Sequence, residues 1–265
     1  GSEDEVGNTF QEQISDNKVK REDLFIVSKV WNAFNKRSTI MPSLKESLKR
    51  LKTSYVDLYL MHFPTGLKKG KDLFPLNENG LTIPSDVDYV ETWKDLEDCY
   101  DQGLAKAIGV CNFSSNQIDR LIKNCKIMPS VNQVESHPYL HQDRLFKFCE
   151  ERGINMIGFA PLGFPAGLWA KKDQPKLLPD SVVFGIANRP CKTAAQVLIR
   201  FPMQKGFIVL IKPTVSGEIK ENFGFQSFDL SPEGLEELNG LNKNYRYFDF
   251  AVMGGPPFYP FRAEY

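Results

Sequence analysis

Apolar runs of strand length alternate along the chain with segments whose apolar residues recur at helical spacing. Six runs stand out: residues 24–29 (LFIVSK), 55–62 (YVDLYLMH), 105–110 (AKAIGV), 130–136 (SVNQVES), 155–160 (NMIGFA) and 207–212 (FIVLIK). Most are apolar nearly throughout, the pattern of strands covered on both faces. Between them the spacing predicts helices over 43–51, 88–102, 115–124, 143–152, 193–203, 216–222 and 231–241. Pro42 is expected in a first helical turn, where no N–H is required. Val90, Trp93 and Tyr100 are expected on one buried face, and Gly103 and Gly153 mark helix ends. The chain opens on a helix: Ser2 and Glu5 form an S-x-x-E capping box, and Val6, Phe10 and Ile14 follow at helical spacing. The Gly- and Pro-broken stretch after residue 160 and the aromatic tail after Lys243 read as loops.

Strand–helix alternation predicts a mostly parallel sheet covered by helices. No G-x-G-x-x-G follows a strand, which argues against a Rossmann fold. The predicted fold is therefore a (β/α)8 TIM barrel. The barrel needs eight strands, and six can be read. At roughly 30 residues per βα unit, the expectation is a barrel lacking its first two strands and first helix. No shift in composition marks a boundary, so residues 1–265 are expected to form one domain.

Composition narrows the function. Apolar residues make up 42%, and 33 basic residues balance 33 acidic ones. This provides no electrostatic case for nucleic acid or an acidic membrane. Cys99, Cys111, Cys125, Cys149 and Cys191 are scattered without a C-x-x-C pair, which suits a reducing compartment. No apolar run approaches the ~20 residues of a membrane span, and no signal peptide is visible. The expected setting is cytoplasmic. His137 and His141 stand four apart, but Pro138 between them opposes a regular helix, and no metal site is predicted.

In a barrel, chemistry lies at the C-terminal ends of the strands. Those ends carry Lys29, His62, Cys111-Asn112, Gln133 or Glu135, Phe159-Ala160 and Lys212. The segments REDLFIVSKVW, YVDLYLMHFPTG, GLAKAIGVCNF, VNQVESHPYL, TAAQVLIRFPMQ and YPFRAEY occur in this order across the whole chain. Through them the chain resembles the aldo-keto reductase superfamily, in the group around aldose reductase and the hydroxysteroid reductases.

The resemblance implies an NADPH-dependent oxidoreductase of the alcohol dehydrogenase [NAD(P)+] type, a monomer that reduces aldehydes or ketones to alcohols. Lys29 matches the family lysine that tunes a proton-donating tyrosine, and His62 the histidine that orients the carbonyl. Cys111, Asn112 and Gln133 match residues that hold the nicotinamide carboxamide. Phe159 matches a stacking tyrosine, and Ala160 a serine. Leu162, Lys212, Pro213, Thr214, Glu218, Glu221 and Asn222 complete the implied cofactor set. Trp31, Phe63, Phe74 and Trp169 are the aromatic candidates for the substrate wall, and residues 243–265 match the substrate loop.

Two departures matter. The family tyrosine and aspartate precede an NE-x-EVG segment, matched here by SEDEVG at the start of the sequence. Both are thus expected outside it, with impaired reduction by this chain. The alternative is a truncated isoform acting as a cofactor-binding or structural pseudoenzyme. Second, Glu218 stands where the family places an arginine for the 2′-phosphate, and Pro213 lacks an N–H. NADP(H) is the implied cofactor, with NAD(H) admitted by Glu218, because an acidic residue can accept from a free ribose hydroxyl.

Overall fold

The computed structural model describes residues 2–70, 72–164, 171, 173–189, 191–213, 215–253 and 258–262, apart from the side chain of Arg37. The chain forms two compact units, residues 1–132 with 250–264, and residues 133–249.

The first unit runs α1 (Glu3–Ser15), β1 (Val27–Val30), α2 (Arg37–Leu51), β2 (Leu58–Met61), α3 (Tyr89–Asp101), β3 (Ile108–Cys111) and α4 (Ser115–Ile122), and ends inside β4 (Val131–Glu135). Parallel pairing sets Lys29 beside Leu60, and Leu60 beside Gly109. Strand side chains alternate between faces. Val27, Lys29, Leu58, Leu60, Gly109 and Cys111 therefore share one face. Gly109 is required by close packing: a Cβ there would lie 2.8 Å from both Leu60 Cδ2 and the Val131 carbonyl. β2 and β3 are buried at every position, whereas β1 exposes Val27.

Several local expectations need correction. Helix α2 begins at Arg37, so Pro42 lies inside it rather than in its first turn. The missing proline N–H would have met the carbonyl of Ser38, so one bond is forfeited near the helix start. Burial of Ile40, Leu44, Leu48 and Leu51 along one face offsets that loss. The Ser2 capping box does not form, because Ser2 has neither the extended backbone of an N-cap nor a side-chain bond to the helix. Instead, Glu3 pairs with Arg50 at 2.5 Å and accepts from Ser28 Oγ at 3.2 Å. In α3, Val90 and Trp93 are buried as expected, but Leu96 and Cys99 complete the face and Tyr100 is exposed. Asp88 caps this helix by accepting from the Val90 N–H at 2.9 Å, and both its oxygens receive Arg120.

The second unit continues β4 and adds α5 (Asp143–Glu150), β5 (Asn155–Phe159), α6 (Ser181–Asn188), α7 (Ala194–Gln204), β6 (Ile208–Leu210), α8 (Ser216–Phe223) and α9 (Pro232–Asn239). β5 and β6 pair in parallel, Phe159 beside Leu210. Its core is built from Val183, Val197, Leu198, Phe201 and Leu238, with Tyr139 and Tyr247. Helix α6 replaces part of the expected loop. Asp180 nucleates it by accepting from the N–H groups of Val182 and Val183. Its sequence, SVVFGIAN, has no amphipathic period to read. The described residues of the tail are irregular as expected, apart from short turns at Ala251–Met253 and Pro260–Arg262. Among the described residues, no helix is long and apolar enough to cross a membrane.

Candidate active site

The end of β2 brings the predicted catalytic pair together. The His62 N–H reaches the Val30 carbonyl at 3.4 Å, which extends the β1–β2 ladder by one residue. His62 thus follows Leu60 on the face that carries Lys29, with Cys111 on the adjoining strand. Lys29 makes no hydrogen bond or ion pair among the described residues, nor do the ring nitrogens of His62. Burial, and secondarily the Lys29 ammonium, push the His62 imidazole down to about 4. The ring is therefore neutral at physiological pH and keeps one N–H to donate. Burial pushes the Cys111 thiol up to about 12, which excludes it as a thiolate nucleophile.

Asn112 holds the corner after β3 in a left-handed conformation, φ 62°. Its amide donates to the His62 carbonyl and to Cys111 Sγ, each at 3.3 Å. The Oδ1 atom is buried and lacks a hydrogen-bond partner among the described residues. An unpaired buried acceptor is costly, and this one suits an amide N–H of a ligand. That acceptor fits the NH2 group of a nicotinamide carboxamide.

Trp31 stands edge-on to His62 at 5.3 Å and to Phe74 at 4.9 Å. Its indole N–H is tied to the Leu73 carbonyl at 2.9 Å. Trp31 is half-buried and Phe74 exposed, so both present ring surface beside the histidine. Phe63 is placed differently. It is buried and surrounded by Phe250, Tyr259 and Phe261 at centroid distances of 5.4, 6.5 and 5.8 Å. It anchors the tail, which is also held where the Thr82 N–H meets the Val252 carbonyl at 2.9 Å. Trp169 and Thr214 lie outside the described residues.

In the second unit, Gln133 is buried on β4, and Phe159 and Ala160 are half-buried at the end of β5, Ala160 with φ 52°. Leu162 packs on the hydrophobic core. Lys212 is exposed and Pro213 half-buried after β6. Glu218 is the third residue of α8, where a carboxylate complements the helix dipole. The Glu221 side chain is exposed and its carbonyl accepts from Gln196 Nε2 at 2.7 Å, while Asn222 is buried.

One arrangement was not foreseen from the sequence. Glu135 and His137 are fully buried at the end of β4, 2.8 Å apart, and the carboxylate also receives the N–H groups of Tyr247 and Phe248. A charged residue at the end of a buried strand, VNQVE, was the available signal. Its partners lie too far along the sequence to be inferred.

Comparison with known proteins identifies the family. The Aldo/keto reductase family model matches residues 1–243. A prostaglandin-E(2) 9-reductase of Oryctolagus cuniculus is 41% identical over 269 residues, covering 100% of this chain and 83% of that protein. Prostaglandin F synthase 1 of Bos taurus is 40% identical, with the same coverage. The solved aldose reductase of Schistosoma japonicum superposes with a TM-score of 0.92 at 38% identity, covering 100% of this chain and 84% of that one. The chain belongs to the aldo/keto reductase family. Its fold is the α/β barrel class of that family, with six strands among the described residues.

Proposed function

We propose that the protein reduces the carbonyl group of a small molecule to an alcohol, with Lys29 and His62 at the reaction centre and NADP(H) as cofactor. One observation carries this reading: a lysine without a hydrogen-bond or ion-pair partner among the described residues and a histidine held neutral share one face at adjacent strand ends. Neutral His62 donates its ring N–H to the carbonyl oxygen. The Lys29 ammonium favours the negative charge that develops there. A lysine so placed would also acidify a nearby phenol, the role the resemblance gives it towards a tyrosine. Bound cofactor supplies the hydride.

The resemblance gives Asn112, Cys111 and Gln133 to the carboxamide, and makes Phe159 a ring face for stacking. Lys212 remains for a phosphate. Glu218 opposes a 2′-phosphate and favours a free hydroxyl, so NADH is accepted alongside NADPH. Trp31 and Phe74 would line the substrate side, with residues 243–265 as its loop.

The test is aldehyde reduction by the protein purified from its natural source, compared with Lys29→Met and His62→Gln. Each variant should turn over at least about 100-fold more slowly, the usual scale of a positioned proton-handling group, with NADPH affinity little changed. Variants as fast as the parent would contradict the reading. Glu218→Arg should shift preference towards NADPH about tenfold, the scale of one charge-assisted hydrogen bond.

A further inference from the structure

The end of β4 and the loop after it receive the irregular segment 243–248 through four backbone N–H groups. The Tyr139 carbonyl accepts from Lys243 at 3.2 Å and from Tyr245 at 2.9 Å. Glu135 Oε1 accepts from the Tyr247 N–H at 2.7 Å, and Oε2 from the Phe248 N–H at 3.0 Å. His137 completes the set. Its Nδ1 accepts from the Tyr139 N–H at 3.2 Å, so the ring hydrogen resides on Nε2 and is donated to Glu135 Oε1 at 2.8 Å. Three donors thus converge on a carboxylate with no exposed surface. Burial on this scale is tolerated only because each oxygen is bonded.

The segment is also locked by its side chains. The Tyr247 hydroxyl donates to the Pro175 carbonyl at 2.8 Å, and its ring lies where any side chain at Gly163 would collide. Tyr247 borders a small apolar cavity of about 40 Å³ with Leu162, Phe164 and Leu177. Phe248, next in sequence, packs against Phe164 at 4.9 Å and stands edge-on to Phe159 at 5.7 Å. The two consecutive amides gripped by Glu135 therefore fix the origin of the ring that bounds Phe159.

We infer that Glu135 and Phe248 are positioning residues for the nicotinamide half of the cofactor. Glu135, oriented by His137, holds the 247–248 backbone, and Phe248 sets the plane of the Phe159 ring. This rests on the reading of Phe159 as the stacking surface. A core carboxylate serving stability alone would accept any donors. Here both oxygens are committed to adjoining amides whose second residue touches the proposed cofactor surface.

The experiment measures two affinities by fluorescence titration: NADPH, and 2′,5′-ADP as a probe of the adenosine half alone. Glu135→Gln is the isosteric variant, since its NH2 group must face an N–H donor that an oxygen now accepts. Phe248→Ala leaves the backbone grip intact and covers the case in which Glu135→Gln does not fold. Both should weaken NADPH about tenfold, the scale of one lost favourable interaction, and leave 2′,5′-ADP unchanged. Phe248→Tyr should restore NADPH affinity. Hydrogen exchange at the Tyr247 and Phe248 amides should accelerate in Glu135→Gln and not in Phe248→Ala. Parental NADPH affinity in the variants, or equal losses for both ligands, overturns the inference alone. A parent protein that binds no NADPH overturns the cofactor reading and the inference with it.

Discussion

His62 at the end of β2 and His137 just beyond β4 share a residue type and a place relative to their strands, yet their surroundings are opposite. Both ring nitrogens of His137 are bonded, one to the Tyr139 amide and one to Glu135, and no part of the side chain reaches solvent. The His62 ring is bonded to nothing among the described residues and is bordered by a lysine and a tryptophan edge. The difference separates structure from chemistry. A polar group whose bonds are all satisfied holds the fold together. One kept half-buried with its bonds unmade stores a donor for a ligand.

Removing each histidine's charged neighbour is the strongest way to break this contrast. Glu135→Ala should cost about 3–5 kcal/mol of stability, because it strips a buried partner from two amides and an imidazole. Lys29→Met should lie within about 0.5 kcal/mol of the parent, since Lys29 bonds to none of the described residues. Urea unfolding measures both, and a comparable loss at the two sites would erase the distinction.

A smaller effect is expected where the face beneath Lys29 and His62 is packed. Gly109→Ala should cost about 1–3 kcal/mol through overpacking, because the added carbon meets the Val131 backbone as well as the movable Leu60 methyl. Parental stability in the same urea experiment would mean that the strands can part without penalty.

Comparable in size is the dependence on pH. An unfolded histidine takes up its proton near pH 6.5, whereas His62 in the fold does so only near 4. Between these values the unfolded state binds more protons, so stability declines as pH falls through that window and levels off below it. His62→Gln should remove this component of the slope, as thermal unfolding across the range would reveal. An identical slope in the variant would place the titration elsewhere.

How much of this was legible follows from the range of each interaction. β2 and β3 are apolar without interruption, so their existence and the polar residues at their ends, His62 and Cys111, could be read locally. Lys29 and His62 could be paired because alternation along neighbouring strands is a regular rule. Helix α6 was not legible, because SVVFGIAN is apolar on every side and its start depends on Asp180. Nor was the burial of Phe63, which depends on rings far along the chain. The task of Glu135 depends on amides 112 and 113 residues away. Local pattern reports elements and their ends. It cannot report which distant backbone a buried carboxylate will grip.

The most direct test of the central claim is an NMR titration of the His62 ring, in a chain whose other histidines are His137 and His141. The account predicts a midpoint at about 4 in the parent protein. In Lys29→Met it should move upward without reaching the ordinary histidine value, because burial, the larger cause, remains. A parent midpoint near 6.5, or one unmoved by Lys29→Met, would contradict the reading of Lys29 and His62 as a coupled reaction centre.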